Sequence, residues 1–366
     1  MLDGLRSSDR LRVGLDVTAA VTAGTGLARY TEQLWRALAQ RSDLEVSAFA
    51  LGRGSTPDFG LPVRRFHVPL RALRPLWSGV GRPRAEVFCG RVDVVHTLAL
   101  MTAPARAPKV ATVHDVLPIT HPGLYPPGAE QLSRQELAAA ARADVIVTTC
   151  DATAAEIARV GGVERKRIVV ASPGPLGTST AAAAVPPVDG RYVFAVGVVT
   201  PRKGFEVLAR AAALLGENCP PVLIAGPDWW GADRVREAIA TADPGQKVRM
   251  LGPVGDRMLA GLYRGATVVC HPSRAEGFGI TCLEAMAAGA ALVATDLPSV
   301  HELVDGAAAL VPVDDAEALA ESMRELLADG ERRRTLGEAA RARASQFSWE
   351  EAAAQVVAAY QRAVRQ

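Results

Sequence analysis

The chain has 366 residues and a formal net charge of +2, from 41 basic and 39 acidic residues. At roughly 150 residues per domain, this length favours two domains that each bury a core. Hydrophobic residues make up 49% and charged residues 22% of the chain, which excludes an intrinsically disordered protein. The balanced charge also argues against a surface that binds nucleic acid along its whole length.

The cysteine spacing and the N-terminal residues indicate the cellular compartment. The five cysteines lack the paired spacing of a zinc site or a disulfide framework. Residues 1–12 are charged and have no apolar signal region, and no run of about 18 apolar residues occurs. We therefore expect a protein of the reducing cytoplasm with neither a standard secretory signal nor a membrane-spanning segment.

Short apolar runs alternate with longer helical patterns from the beginning of the chain, which is typical of parallel βαβ units. The first series begins with a strand at Leu11–Val17 and a helix at Leu27–Gln40. An Ala-rich helix is predicted at 129–143. The other strands of this series are predicted at Leu44–Ala50, Val92–His96, Lys109–His114 and Asp144–Thr148.

A second series begins with a strand at Tyr192–Gly197 and a helix at Phe205–Leu215. Its further strands are predicted at Pro221–Ala225, Val248–Leu251, Thr267–Cys270 and Ala291–Ala294. The pattern predicts an α/β protein with two facing, doubly wound, Rossmann-like domains. Because ligands of such sheets bind at the carboxyl ends of the strands, we expect the active site in the groove between the domains.

The segment between the two series marks the domain boundary. Residues 171–190 are rich in Pro, Gly, Ser and Ala and offer little to pack, so they are expected to connect the domains. We place the first domain at 1–184, the second at 185–345, and a C-terminal helix at 346–366 that packs back on the first domain.

The most informative motif is HPSRAEGFGITCLEAMAAG, residues 271–289. A buried strand leads into a glycine-containing loop, and a helix is predicted from Ile280 to Ala288. The backbone N–H groups of the first helical turn and the helix dipole favour an anion such as a diphosphate. Glu276 lies before this helix and Glu284 lies inside it, so the two carboxylates serve separate points of one ligand. The alternative is a capped helix with two solvated glutamates.

Within this motif, EGFGITCLE, with seven residues between its two glutamates and followed by AMAAGAALVAT, resembles the donor site of the retaining glycosyltransferases of family four, which have the GT-B fold. The resemblance implies that Glu276 contacts the hydroxyls of the donor sugar and that Glu284 binds the ribose of the nucleotide. The backbone around the diphosphate is then expected to come from Gly277, Phe278, Gly279 and Ile280. The second domain becomes the nucleotide-sugar domain and the first the acceptor domain.

A second motif, VGVVTPRKG at 196–204, follows the first strand of the second series. Arg202 and Lys203 are expected to neutralise the charge of a departing nucleoside diphosphate, close to Gly197. Many members of the family carry an Arg after the glycine that matches Gly197, whereas this chain has Val198, so the pair works alone. The alternative is a solvated surface turn.

Two further motifs come from the first series. AGTGLARY places Gly24 and Gly26 where the family has a loop near the donor phosphates, although a plain tight turn explains the pattern too. TVHDVLPITHP contains His114, and its HDxxP string resembles a subgroup with many mannosyltransferases, in which this His lies against the donor sugar. The alternative for His114 is a hydrogen-bonded core histidine. For His96, in DVVHT, this structural role is the favoured interpretation.

The resemblance implies transfer of a hexose from a nucleoside diphosphate sugar with retention of configuration. No DxD-like metal string occurs, so we expect a metal-independent enzyme that needs no cofactor; GDP-mannose is the favoured donor. A sugar phosphorylase, a nucleotide-sugar epimerase or a non-catalytic nucleotide-sugar-binding partner remain alternatives. No nucleic-acid partner is expected.

The acceptor is open among a glycan, a lipid-linked molecule and a small molecule. Residues 64–84 combine six arginines with Leu70, Leu73, Leu76 and Trp77 and contain no acid. Such a segment favours peripheral contact with an anionic membrane at its cytoplasmic face. The alternative is a solvated loop whose apolar side chains pack onto the first domain.

Overall fold

The protein is represented by a computed structural model that describes residues 10–21, 26–52, 60–98, 101–176, 184, 186–188, 190–243 and 245–366. The chain forms two compact units. The first comprises its described residues up to Val116, those from Gln131 to Pro173 and those from Ser348 onwards. The second comprises residues 117–130 and the described residues from Gly174 to Phe347. Residue 185, where the sequence places the start of the second domain, lies outside the described residues.

The first unit is built on a parallel sheet. Its strands are β1 (Leu11–Asp16), β2 (Leu44–Leu51), β3 (Val63–Phe66), β4 (Val94–Thr97), β5 (Lys109–Thr112), β6 (Val145–Thr148) and β7 (Ile168–Val170). Within the described residues they follow the order β3-β2-β1-β4-β5-β6-β7. Val13 of β1 lies opposite Val46 of β2 and Val94 of β4, and the central strands are aliphatic because both faces of a parallel sheet are covered.

The helices of this part of the chain connect the strands. They are α1 (Gly26–Ala39), α2 (Leu70–Gly79), α3 (Glu86–Cys89), α4 (Leu117–Thr120), α5 (Ala129–Ala140) and α6 (Asp151–Gly161). Leu73 and Trp77, on one face of α2, are buried in a cluster with Phe49 and Phe88. These two side chains therefore pack onto the first unit. For them, this agrees with the alternative hypothesis, in which the apolar side chains of residues 64–84 pack onto the first domain.

The second unit repeats the doubly wound pattern. Its strands are β8 (Val193–Val196), β9 (Val222–Ala225), β10 (Val248–Gly252), β11 (Val268–His271), β12 (Leu292–Thr295) and β13 (Ala309–Val311). All pairs are parallel, and the described strands follow the order β10-β9-β8-β11-β12-β13. Its helices are α7 (Phe205–Leu215), α8 (Ala232–Ala242), α9 (Asp256–Gly265), α10 (Ile280–Ala287), α11 (Pro298–Val304), α12 (Ala316–Ala328) and α13 (Gly330–Ala344).

The C-terminal helix α14 (Trp349–Arg365) belongs to the first unit and packs against α1, which confirms the predicted return of this helix. Ser348 caps it by accepting a hydrogen bond from the backbone N–H of Glu351, and this cap satisfies one of the donors left open at a helix start. Among the described residues, no helix is both long and apolar enough to cross a bilayer.

His96 of β4 connects α14 to the sheet. One of its ring nitrogens, Nδ1, lies 2.8 Å from the hydroxyl of Tyr360, and Nε2 lies 2.8 Å from Oγ1 of Thr112. The side chain is fully buried. Burial, reinforced by the charge of His114, lowers the pKa of His96 from 6.5 to about 3, so the ring is neutral at pH 7. His96 is thus a hydrogen-bonded core residue.

This buried histidine predicts acid destabilisation of the first unit. Its depressed pKa means that its contribution to stability is complete above pH 6.5 and is lost as the pH falls from 6.5 towards 3. Between pH 7 and about pH 4.5, we expect the unfolding free energy of the wild type to fall by about 3 kcal/mol more than that of His96→Gln. Denaturant titrations followed by circular dichroism measure both. Equal pH dependence of the two proteins would show that His96 is not held neutral.

Candidate active site

Two loops of the second unit meet where its strand order reverses. β8 and β11 are neighbours in the sheet, although the chain visits β9 and β10 between them. The turn Pro201–Lys203 follows β8, and residues 272–279 follow β11 and lead into α10. The carboxyl ends of the two strands at such a reversal border the ligand crevice of doubly wound sheets. Both predicted motifs of the second domain therefore lie at the expected edge.

Glycines allow these loops to approach each other closely. Gly204 has φ +61°, and a Cβ added to it would lie 2.1 Å from the carbonyl oxygen of Pro272. Gly197, at the end of β8, gives passage to the Lys203 side chain, because a Cβ there would lie 2.9 Å from Cε of Lys203. A side chain at position 204 would require the backbone of Pro272 to move, and one at position 197 would displace the side chain of Lys203.

The close approach brings Lys203, Arg202 and Glu276 together. Nζ of Lys203 donates to Oε1 of Glu276 over 2.6 Å, and Nη1 of Arg202 lies 3.0 Å from the same oxygen. Arg202 also donates to the backbone carbonyl of Ala275. The Lys203 and Glu276 side chains are only 8% and 10% exposed. The structure thus joins the three residues that carried the sequence prediction.

The electrostatics of this cluster follow from burial and pairing. Burial alone raises the pKa of Glu276, but the positive charges of Lys203 and Arg202 outweigh it and hold the pKa well below the usual value. Burial lowers the pKa of Lys203, and Glu276 opposes that change. With Glu276 ionised, two positive charges and one negative charge leave the cluster with one positive charge.

His271, the last residue of β11, lies next to the carboxylate of Glu276. Its Nε2 lies 3.3 Å from Oε1 of Glu276, and its Nδ1 lies 3.1 Å from Oγ1 of Thr281 in the first turn of α10. Burial lowers the pKa of His271, so the ring is neutral at pH 7. With its proton on Nε2, the side that faces Glu276, the neutral ring accepts at Nδ1 from the threonine hydroxyl. The hydroxyl of Ser299 in turn donates to the backbone carbonyl of Glu276 over 2.7 Å.

Arg274 connects the two loops through both its backbone and its side chain. Its backbone N–H donates to the carbonyl of Arg202 over 2.8 Å, and its guanidinium bonds the carbonyl of Pro201. The guanidinium also pairs with Glu206 at 2.6 Å and with Asp314 at 2.7 Å. The sequence analysis includes His271 and Arg274 in the motif but assigns them no role. Their positions at and just after the end of a strand were the only signal that could have indicated one.

Helix α10 supplies the second carboxylate. Gly279 caps it with φ +94°, and its carbonyl oxygen accepts from the N–H groups of Cys282 and Leu283, so the N–H groups of Ile280 and Thr281 are the ones without a partner inside the helix. Glu284 is 4% exposed, and its Oε2 accepts a hydrogen bond of 3.2 Å from the hydroxyl of Tyr263 in α9. Glu276 and Glu284 therefore have different partners, in line with separate roles. Gly277 and Gly279 flank Phe278, whose buried ring packs edge-on against Phe347, and Ile280 begins α10.

The remaining predicted residues belong to the first unit. His114 donates from Nε2 to the carbonyl of Leu98 over 2.9 Å, and its ring lies 4.5 Å from that of Tyr30. Burial lowers its pKa, so the ring is neutral at pH 7, and with the proton on Nε2 its Nδ1 is a hydrogen-bond acceptor. Gly26 begins α1 with open space where a Cβ would lie. Gly24 lies outside the described residues.

Metal ligands are the last feature of the site. The part of the chain that the structure describes contains no group of three or more His, Cys, Asp or Glu side chains arranged to hold a metal ion.

Solved structures share this architecture. A sucrose-phosphate synthase from Thermosynechococcus elongatus superposes with a TM-score of 0.76 at 22% identity, over 96% of this chain and 98% of that one. Two doubly wound parallel sheets with this likeness, and a C-terminal helix that contacts the first of them, define the GT-B fold.

Family models and relatives name the enzyme class. The model "Glycosyl transferases group 1" matches residues 180–343, and "Glycosyltransferase Family 4" matches residues 24–174. A D-inositol 3-phosphate glycosyltransferase of Xylanimonas cellulosilytica is 31% identical over 96% of this chain and 94% of its own. An O-antigen chain mannosyltransferase B of Escherichia coli is 29% identical over 69% of each chain. The chain belongs to glycosyltransferase family 4, the retaining enzymes that transfer a sugar from a nucleotide sugar.

Proposed function

We propose that the protein transfers a hexose from a nucleoside diphosphate sugar and that the loops after β8 and β11 bind the donor. The observation that carries this proposal is the cluster of Arg202, Lys203 and Glu276, which combines a surplus positive charge with a buried carboxylate at the strand-order reversal. The surplus positive charge suits a diphosphate, and the buried carboxylate can accept hydrogen bonds from the hydroxyls of a sugar.

Each residue then has a distinct task. Lys203 and Arg202, with the N–H groups at the start of α10, stabilise the charge that grows on the leaving diphosphate. Glu276 accepts hydrogen bonds from the sugar hydroxyls and orients the ring, and Glu284 does the same for the ribose. The bond from the anomeric carbon to the diphosphate oxygen breaks, and the acceptor oxygen bonds to that carbon on the same face. The leaving diphosphate takes the acceptor proton. His114 of the first unit is proposed to bind the donor sugar through Nδ1.

The donor and acceptor are the finer part of the proposal. The HDxxP string around His114 and the similarity to a mannosyltransferase favour GDP-mannose. The acceptor is a glycan, a lipid-linked molecule or a small molecule, bound by the first unit. The five cysteines are free thiols and buried, which is consistent with a reducing cytoplasm. Residues 64–84 are proposed to contact the inner face of a membrane.

Donor binding is tested by thermal denaturation with GDP, UDP, dTDP and ADP sugars. A ligand at about 100 times its dissociation constant adds about 2.7 kcal/mol of stability, so the correct base is expected to raise Tm by several degrees. Glu284→Gln keeps the size of the side chain but lowers its strength as an acceptor for the ribose hydroxyls, and its shift should shrink sharply. No shift with any of the four would contradict the proposed donor site.

A further inference from the structure

Tyr30, in the second turn of α1, has no part in the reaction described above, yet its ring lies against that of His114. The two ring centroids are 4.5 Å apart and the ring planes meet at 86°, so the edge of one ring faces the plane of the other. Edge-to-face pairs favour centroid separations of about 4.5–7 Å, and this pair lies at the close end of that range. The contact therefore restricts rotation of the histidine ring.

Two contacts together fix the imidazole of His114. The hydrogen bond of 2.9 Å from Nε2 to the carbonyl of Leu98 sets the tautomer, and Tyr30 sets the plane of the ring. His114 is only half-buried and lines a cavity of about 160 Å³ beside α5, so part of the ring stays open to a ligand. A ring that is held on one side and open on another is suited to present Nδ1 in a fixed direction.

Tyr30 is itself held by packing and not by a hydrogen bond. It is 6% exposed and belongs to the same core cluster as Leu34 and Tyr360. The ring of Trp349, the first residue of α14, also meets the Tyr30 ring, at 5.3 Å and 70°. Among the residues that the structure describes, the Tyr30 hydroxyl is buried and has no hydrogen-bond partner. The ring of Tyr30, and not its hydroxyl, therefore makes the contact with the histidine.

We propose that Tyr30 is a positioning residue, which orients the imidazole of His114 so that Nδ1 meets a hydroxyl of the donor sugar. The inference rests on the proposed function, in which His114 binds that sugar. A hydrogen bond weakens steeply as it bends, so Nδ1 contributes to binding only while its lone pair points at the hydroxyl. Without the Tyr30 ring, the imidazole can rotate and this alignment is lost. Tyr30 is buried and acts through His114, without touching the substrate.

Two substitutions at position 30 separate the ring from the hydroxyl. Tyr30→Leu removes the ring and should weaken binding of the nucleotide sugar about tenfold, the scale of one aromatic pair or one aligned hydrogen bond. Tyr30→Phe keeps the ring and should bind like the wild type. Leu34→Ala, one turn further along α1 in the same cluster, is the control for a core defect, because it removes no ring beside His114. It should also bind like the wild type at a temperature where circular dichroism shows every variant folded.

Isothermal titration calorimetry with two probes distinguishes positioning from a general loss of structure. The probes are GDP-mannose and GDP, or the corresponding pair for whichever base raises Tm. GDP lacks the sugar, so Tyr30→Leu should bind GDP as the wild type does while it binds the nucleotide sugar more weakly. In a double-mutant cycle, Tyr30→Leu/His114→Ala should bind the nucleotide sugar no more weakly than His114→Ala, because both changes remove one contact.

The proposal is overturned by equal weakening towards GDP and the nucleotide sugar, by the same loss in Leu34→Ala or Tyr30→Phe, or by additive losses in the cycle. Failure of the proposed function gives a different result. If His114→Ala binds the nucleotide sugar as the wild type does, His114 does not contact the sugar and Tyr30 has nothing to orient. If His114→Ala weakens binding and Tyr30→Leu does not, the donor site stands and only the role of Tyr30 is refuted.

Discussion

Replacing Glu276 with glutamine is expected to lower kcat/KM for sugar transfer by about 10²- to 10³-fold, the usual range for loss of one preorganised electrostatic contact. The amide keeps the size of the side chain but removes the charge that Lys203 and Arg202 share at 2.6 Å and 3.0 Å. Without it, burial lowers the pKa of Lys203 further, and the lysine is held less firmly. Steady-state transfer assays with a labelled nucleotide sugar measure the loss.

The pairing itself is tested by a double-mutant cycle with Lys203→Met. Because the two side chains act as one unit, the double variant should be little worse than the poorer single variant. Glu237→Gln, an exposed change in α8, serves as the control and should retain full activity. Additive losses, or wild-type turnover of Glu276→Gln, would separate this carboxylate from the reaction.

The sequence predicted the second unit more completely than the first. Strands such as β8, β9 and β11 are mostly apolar and buried, and the pattern placed each within two residues of its observed bounds. The edge strand β3, VRRF, has no such pattern, because its residues are half-buried or exposed. The short β13 was missed as well, since three residues leave no period to read.

The candidate site was predictable as two motifs but not as one cluster. EGFG and PRKG each indicated polar chemistry at a strand end, and the fold then joins them over 73 positions of sequence. That Lys203 and Arg202 both bind Glu276 depends on the contact between the two loops, which local sequence does not encode. Arg274 escaped notice for the same reason, since Glu206 and Asp314 lie on other segments, whereas His271 contacts Glu276 and Thr281 within its own motif.

The contact between the loops rests on Gly204, and Gly204→Ala is expected to destabilise the second unit strongly although it adds only one methyl group. A left-handed φ of +61° costs an alanine about 1–2 kcal/mol. The added Cβ, 2.1 Å from the carbonyl oxygen of Pro272, forces the loops apart at a further cost of about 1–3 kcal/mol. Denaturant titration should therefore show a loss of about 2–5 kcal/mol.

Gly162→Ala, just after α6, is the matched control, because its φ of +61° and ψ of 27° equal those of Gly204 within 1° while nothing lies within 4 Å of its added Cβ. It should lose only the about 1–2 kcal/mol of backbone strain and keep its activity. Gly204→Ala protein that remains folded should instead transfer sugar poorly, because separating the loops lengthens the distance between Lys203 and Glu276. If the two variants lose the same stability and both stay active, the close approach at Pro272 is not what holds the donor site together. A loss confined to Gly204→Ala would tie the geometry of the site to a single backbone contact.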